Sequence, residues 1–269
     1  MTYEADGTRF MGHRVKHCND PEDMGMAAAS YIHRVYTSTV QKKGSFFLVL
    51  SGGKTPEILH RRLASPDFKK RFSWDRVMVF WGDERYVAKD NPESNYGMAK
   101  RTLLSNIPIP EKNIFSIPTE AETSIEAADR YEETLKRFFY DQGSLTGSPS
   151  MPVFDLILLG LGEDGHTASL FLNRPVNPRG TRWVEAVTIP PSYPTRERIT
   201  MTLPVLNSAA QVVFLVSGDN KKETLLEVLK GAVPGREKFA AQLVQPRTDI
   251  TWFTDIQVPR SLKQSRMKG

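Results

Sequence analysis

Four short apolar runs constrain the fold more than any other feature: FFLVL (46–50), RVMVFW (76–81), FDLILLG (154–160) and QVVFLV (211–216). Each has strand length and no polar alternation, which reads as a strand buried on both faces. Helical patterns lie between them. From about Glu22 to Val40, the residues Met24, Ala27, Ala28, Tyr31, Ile32 and Val35 share one face, and SIEAADRYEETLKRFFY (124–140) predicts an amphipathic helix with Ser124 as its cap. A further helix is expected after Asp90-Asn91-Pro92, carrying Tyr96, Met98 and Leu103, and another after Ser217-Gly218-Asp219, running through Leu229. WVEAVTI (183–189), RITMTL (198–203) and ITWF (250–253) add strands, and GSLTGSPSMP (143–152) reads as a loop. Such alternation is the signature of parallel βαβ units. The expectation is one α/β domain over 1–269: an open, mainly parallel sheet of modified Rossmann type, flanked by helices on both faces. Residues from about 260 to 269 are expected to form a frayed tail.

In sheets of this kind ligands bind beyond the carboxyl ends of the strands. Polar clusters follow four of the runs directly: Ser51 to Thr55, Gly82 to Arg85, Gly162 to His166, and Ser217-Gly218 with Lys221. If the strands are parallel neighbours, these clusters share one rim and form one pocket.

The first cluster, SGGKTP, superficially resembles a nucleotide-binding P-loop. That motif requires G-x-x-x-x-G-K-[ST], and its first glycine would fall at Leu48, inside an apolar run. Pro56 follows Thr55 directly, which suits Thr55 as a helix cap and Pro56 as the first helical residue. A turn this short can offer a few N–H groups and a positive helix end to one phosphate, but it cannot wrap a triphosphate.

His166 is the leading candidate for chemistry. It stands in GLGEDGHTAS, where glycines, Gly165 among them, allow a ligand to approach the backbone closely. A neutral imidazole there is suited to accept a proton near neutral pH. Asp83 and Glu84 form an acidic pair at a strand end, and a carboxylate close to His166 would fix its tautomer. The bland reading of that pair is an exposed turn bridged to Arg85. Lys54, Arg85, Arg198 and Lys221 are the cations expected on the rim, with Arg suited to bidentate phosphate recognition.

Other classes fit poorly. The chain lacks G-x-S-x-G and H-E-x-x-H, and no His/Cys cluster indicates a metal site. GLGEDG (160–165) matches the letters of a dinucleotide fingerprint, but Glu163 and Asp164 would crowd a pyrophosphate with negative charge. The net charge of +5 suits an anionic small molecule, and no stretch interleaves basic with aromatic residues as a nucleic-acid surface would. Cys18 is the single cysteine, so an intrachain disulfide is impossible and a reducing compartment is expected. Without a signal-like N-terminus or an apolar run of spanning length, the expected location is cytoplasmic, with no membrane partner.

Taken together, SGGKTP, WGDERYV, ESNYG, LLGLGEDGHTASLF, RITMTLPVLNSA and VSGDNKKE resemble the 6-phosphogluconolactonases, in the same order, from about Phe46 to Glu223. The resemblance implies an α/β fold with a mainly parallel sheet. It implies hydrolysis of 6-phospho-D-glucono-1,5-lactone to 6-phosphogluconate in the oxidative pentose phosphate pathway, with no metal and no organic cofactor. Carried onto this chain, it implies His166 as general base, with Asp83 and Arg85 in the site. Phosphate would be held by Gly52, Gly53 and Thr55, with Arg198 and Lys221. Two positions depart from the family. Lys54 stands where serine is common, and Leu172-Asn173-Arg174 replaces the usual Pro-Gly. The protein is expected to act as a monomer on a phosphorylated sugar lactone.

Two rival functions share these features. Glucosamine-6-phosphate deaminases and isomerases have the same fold and a DGH motif, but they typically read IGFNEP and LDEY where this chain has TASLFL and GDER. A non-catalytic sugar-phosphate-binding protein is the third possibility. An attached DNA-binding domain would support it, and the residues before FFLVL show no clear helix-turn-helix pattern.

Overall fold

The computed structural model describes residues 8–10, 13–142, 145–146, 151–172, 176–177, 179–231 and 238–259. The expected tail at 260–269 and most of the 143–152 loop lie outside them. From the N-terminus, β1 (Thr8–Phe10) and β2 (His13–His17) precede α1 (Pro21–Lys43) and β3 (Phe46–Leu50). Next come α2 (Lys54–Leu63), α3 (Pro66–Lys69), β4 (Val77–Trp81), β5 (Asp83–Arg85), α4 (Asn95–Thr102) and β6 (Ile114–Phe115). Then follow α5 (Ser124–Asp141), β7 (Leu145–Thr146), β8 (Met151–Pro152) and β9 (Leu156–Gly160). The last part holds β10 (Val184–Thr188), β11 (Glu197–Met201), α6 (Leu203–Ser208), β12 (Val212–Val216), α7 (Lys222–Leu229) and β13 (Ile250–Thr254).

Among the described residues, eight strands form one open sheet in the order β1-β2-β13-β12-β9-β3-β4-β6. Only the β1–β2 pair is antiparallel; every other neighbouring pair is parallel. Every residue of β3, β12 and β13 is buried, as continuous apolar runs require between two helical layers. From β3 the chain progresses outward to β4 and β6, whereas from β9 it progresses the other way to β12 and β13. The strand order therefore reverses between β3 and β9. That reversal opens a crevice at their carboxyl ends, where doubly wound folds bind ligands.

The strand β2 carries no apolar run and was not expected from the sequence. In HRVKH only Val15 is buried, and the strand is held by parallel pairing to β13, with Val15 opposite Trp252. The segments WVEAVTI and RITMTL form strands outside the main sheet. They build a separate antiparallel sheet, β10-β11-β5, whose register sets Arg198 opposite Arg85 and Thr200 opposite Asp83. Glu132 of α5 ties this small sheet down by accepting from the backbone N–H groups of Trp183 and Val184.

Two caps differ from expectation. Helix α5 is capped by Thr123, whose Oγ1 accepts from the Glu126 N–H, and Ser124 is the first helical residue. Helix α2 begins at Lys54, so Thr55 lies inside its first turn. Gly53 supplies the N-cap backbone at φ 101°, a region L side chains rarely enter. Pro56 still falls in the first turn, where its missing N–H costs no helical bond.

Candidate active site

A cavity of about 190 Å³ opens in the crevice between β3 and β9. Its wall brings together Gly52, Gly53, Lys54 and Thr55 after β3, Asp83 and Arg85 on β5, His166 after β9, and Lys221 after β12. These are eight of the ten positions expected in the site. Gly165 and Arg198 do not line it.

The His166 turn is built by backbone bonds that fold it upon itself. The Gly162 N–H donates to His166 O at 2.9 Å, and the Gly165 N–H to Gly162 O at 3.0 Å. A Cβ on Gly162 would stand 2.1 Å from His166 Nδ1, so only glycine leaves room for the imidazole there. Thr167 Oγ1 anchors the turn by donating to Gly160 O at 2.8 Å, and Ala168 follows at φ 47°, a left-handed conformation costly for alanine. Gly165 has a packing task. A Cβ on it would stand 2.1 Å from the Phe239 ring, so the position serves close approach to Phe239 instead of contact with the cavity.

The carboxylate that meets His166 is Asp164, not Asp83. His166 Nδ1 lies 2.5 Å from Asp164 Oδ1, and the imidazole stacks on Phe171 at 4.4 Å between ring centroids. Burial opposes charge on Asp164, but the hydrogen bonds and charge of His166 outweigh it and hold the carboxyl below its ordinary range. With Nδ1 committed to Asp164, Nε2 takes no hydrogen bond among the described residues and is the nitrogen left for a substrate. Asp83 has other partners: Ser169 Oγ donates to its Oδ2 at 2.7 Å, and Asn95 Nδ2 donates to its backbone O at 2.9 Å. The D-x-H spacing was visible in the sequence, yet it does not reveal which way either side chain turns.

Nor is GDER an exposed turn. Asp83 and Glu84 are buried, and Glu84 accepts from the backbone N–H groups of Arg85, Asn95 and Tyr96. Burial raises its pKa against the pull of those donors. Glu84 thereby fastens β5 to the start of α4 and delivers Asn95 to the cavity wall. A Cβ on Gly52 would stand 1.7 Å from Asn95 Oδ1, so the first glycine of SGGKTP is required by its contact with ESNYG.

The cations differ in setting. Lys54 is exposed at the first position of α2. Lys221 is more enclosed, and burial lowers its pKa while Glu163 and Asp255 partly oppose this. Arg85 donates from Nη1 to Glu93 O at 2.6 Å, and its buried Nε has no hydrogen-bond partner. Arg198 is buried, 4% exposed, and donates from Nε to Thr195 O at 2.8 Å. Burial and the neighbouring charge of Arg85 lower its pKa. Among the described residues, no group of three His, Cys, Asp or Glu side chains is placed to hold a metal ion, and no helix is long and apolar enough to cross a membrane.

Comparison with known proteins places the chain among relatives. The chain is 37% identical over 227 residues to the 6-phosphogluconolactonase of Synechocystis sp., covering 84% of this chain and 89% of that protein. It is 36% identical over 245 residues to the probable 6-phosphogluconolactonase 1 of Arabidopsis thaliana, covering 90% of each. The solved 6-phosphogluconolactonase of Trypanosoma cruzi superposes with a TM-score of 0.80 at 27% identity, covering 92% of this chain and 96% of that one. The family described as glucosamine-6-phosphate isomerases/6-phosphogluconolactonase matches residues 19–252, and the chain belongs to it.

Proposed function

We propose that this protein is a 6-phosphogluconolactonase, hydrolysing 6-phospho-D-glucono-1,5-lactone to 6-phosphogluconate in the oxidative pentose phosphate pathway. The observation that carries the reading is the pairing, across one cavity, of a phosphate-suited turn with a carboxylate-supported imidazole. At the N-terminus of α2, the spare N–H groups of Lys54 and Thr55 and the helix dipole favour a single phosphate. Lys54, Arg85 and Lys221 supply the positive charge around it.

In this reading, phosphate binding orients the lactone ring for attack. His166 Nε2 takes a proton from water as its oxygen adds to the lactone carbonyl, and Asp164 supports the imidazolium that forms. Backbone N–H groups of the glycine turns, or a nearby cation, stabilise the oxyanion. Collapse of the tetrahedral intermediate breaks the ring ester bond, and the departing alkoxide takes the proton from His166. No covalent intermediate and no cofactor are required. The same proposal makes the protein a monomeric, single-domain, cytoplasmic enzyme; its one cysteine, Cys18, is a buried free thiol.

The test supplies freshly generated lactone and follows its decay against spontaneous hydrolysis. Acceleration by the wild type, lost in His166→Ala, is the expected result. No acceleration by the wild type overturns the reading, and ammonia release from glucosamine 6-phosphate would replace it.

A further inference from the structure

The loop between β10 and β11, IPPSYPTRER, reaches the catalytic turn through one residue. Tyr193 Oη lies 3.1 Å from Asp164 Oδ2 and 3.1 Å from His166 Nδ1. Its ring stands edge-on to the imidazole at 5.5 Å and 90°, while Phe171 stacks on the imidazole face. The imidazole is therefore bounded by two aromatic rings and one carboxylate, from two separate segments of the chain.

The proton inventory decides how these atoms are used. An ionised carboxylate only accepts, so Asp164 Oδ2 takes the Tyr193 hydroxyl proton. Asp164 Oδ1 then remains for the Nδ1–H of His166, and the tyrosine oxygen can share that N–H weakly. With its hydroxyl proton given to Asp164, Tyr193 has none to offer Nδ1. The arrangement thus selects the tautomer with hydrogen on Nδ1 and a free lone pair on Nε2. A lone carboxylate two residues from the imidazole could rotate and present either oxygen. A second donor on Oδ2 removes that freedom.

The loop itself is held from behind. Ile189 N–H donates to Arg196 O at 2.9 Å, closing its base, and Thr195 Oγ1 donates to Glu93 Oε2. Arg198, expected at the phosphate, donates from Nε to Thr195 O. Glu93 O in turn accepts from Arg85, which lines the cavity.

We propose that Tyr193 is a positioning residue for the lactonase reaction: it holds Asp164 by its hydroxyl and, with Phe171, holds the imidazole plane, so that His166 Nε2 is kept as the free base. This rests on the reading of His166 as the base. Arg198 serves the same end by anchoring the loop that carries Tyr193.

The experiment uses the full chain with Tyr193→Phe, which keeps the ring and deletes the hydroxyl. The readouts are kcat and KM for the lactone, and the ¹⁵N spectrum of the free enzyme with labelled histidine. The expected result is a kcat lower by about tenfold, as for loss of one hydrogen bond to a charged group, with KM within about twofold. The His166 signals should move from a single Nδ1–H tautomer in the wild type to a mixture in the variant. Adding Tyr193→Phe to Asp164→Asn should cost little more, because the hydroxyl acts through that carboxylate. A wild-type kcat with an unchanged tautomer overturns the proposal, as does a loss confined to KM or a fully additive double variant. The base reading fails separately, if His166→Ala keeps full activity, whereas an inactive His166→Ala beside an unaffected Tyr193→Phe refutes the positioning role alone.

Discussion

The Asp164 carboxylate and the His166 imidazole meet at 2.5 Å across a single intervening glycine, so the carboxylate and the imidazole proposed as base lie in one turn. Here the pair is preassembled by the fold of GLGEDGH, and the rest of the structure has only to hold it and bring the N-terminus of α2 to the same cavity.

Asp164→Asn keeps the size of the side chain but can donate to Nδ1, which favours the tautomer with hydrogen on Nε2 and disables the base. The expected loss in kcat is about 10²- to 10⁴-fold, comparable with His166→Ala. The lactone decay assay measures both. An Asp164→Asn variant with more than half of wild-type kcat would show that the carboxylate is dispensable.

Lys54 is an exposed point charge at the edge of the cavity, where an interaction with a phosphate is worth about 1 kcal/mol. Replacing the cation by Lys54→Ser should raise KM about fivefold at low salt and leave kcat within about twofold. The difference should shrink as added salt screens the charge. A change in kcat with KM unaltered would assign Lys54 to the chemistry instead.

Gly52→Ala introduces a Cβ 1.7 Å from Asn95 Oδ1, and Asn95 is buried with its amide on Asp83 O. Asn95 must move, breaking that bond at a cost of about 1–3 kcal/mol. Activity should fall at least about tenfold, with a lower unfolding midpoint in urea. Wild-type stability and rate together would mean that the turn relaxes freely.

His60 lies on α2, fully buried, with Nδ1 3.3 Å from Thr102 Oγ1 and Nε2 without a partner. Burial depresses its pKa to about 4. Below about pH 6.5 the unfolded chain takes up a proton that the folded chain refuses, so stability present above that pH is lost as the pH falls toward 4. The limit is about 3 kcal/mol. His13, also lowered to about 4 by burial against the opposing charge of Asp249, acts in the same direction. Urea midpoints of wild type and His60→Leu between pH 7 and 4 check this. The variant should show the shallower decline, and parallel curves would refute the assignment.

Much of this architecture was legible in the chain. FFLVL, RVMVFW, FDLILLG and QVVFLV are strands β3, β4, β9 and β12 to within two residues at each end, because an uninterrupted apolar run has nowhere to go but between two helical layers. The strand β2 was not legible, since HRVKH buries only Val15 and owes its place to hydrogen bonding with β13. Among the site residues, Gly52 to Thr55, Asp83, Arg85, His166 and Lys221 were recognisable from their positions after strands, and they share one cavity. Arg198 looked equivalent to them, and its Nε donates to Thr195 O.

Sequence by itself determined which apolar runs are the buried strands, and therefore which turns fall on the rim, because hydrophobic period reports directly on which face must leave water. The tertiary structure decided which side chains on that rim touch. It set Tyr193 against Asp164 from 29 residues away and gave Asp83 to Ser169 instead of His166. It also set Arg85 and Arg198 opposite each other on adjacent strands. Those choices depend on strand register and rotamer, which are settled by packing between segments distant in the chain and leave no period in the sequence.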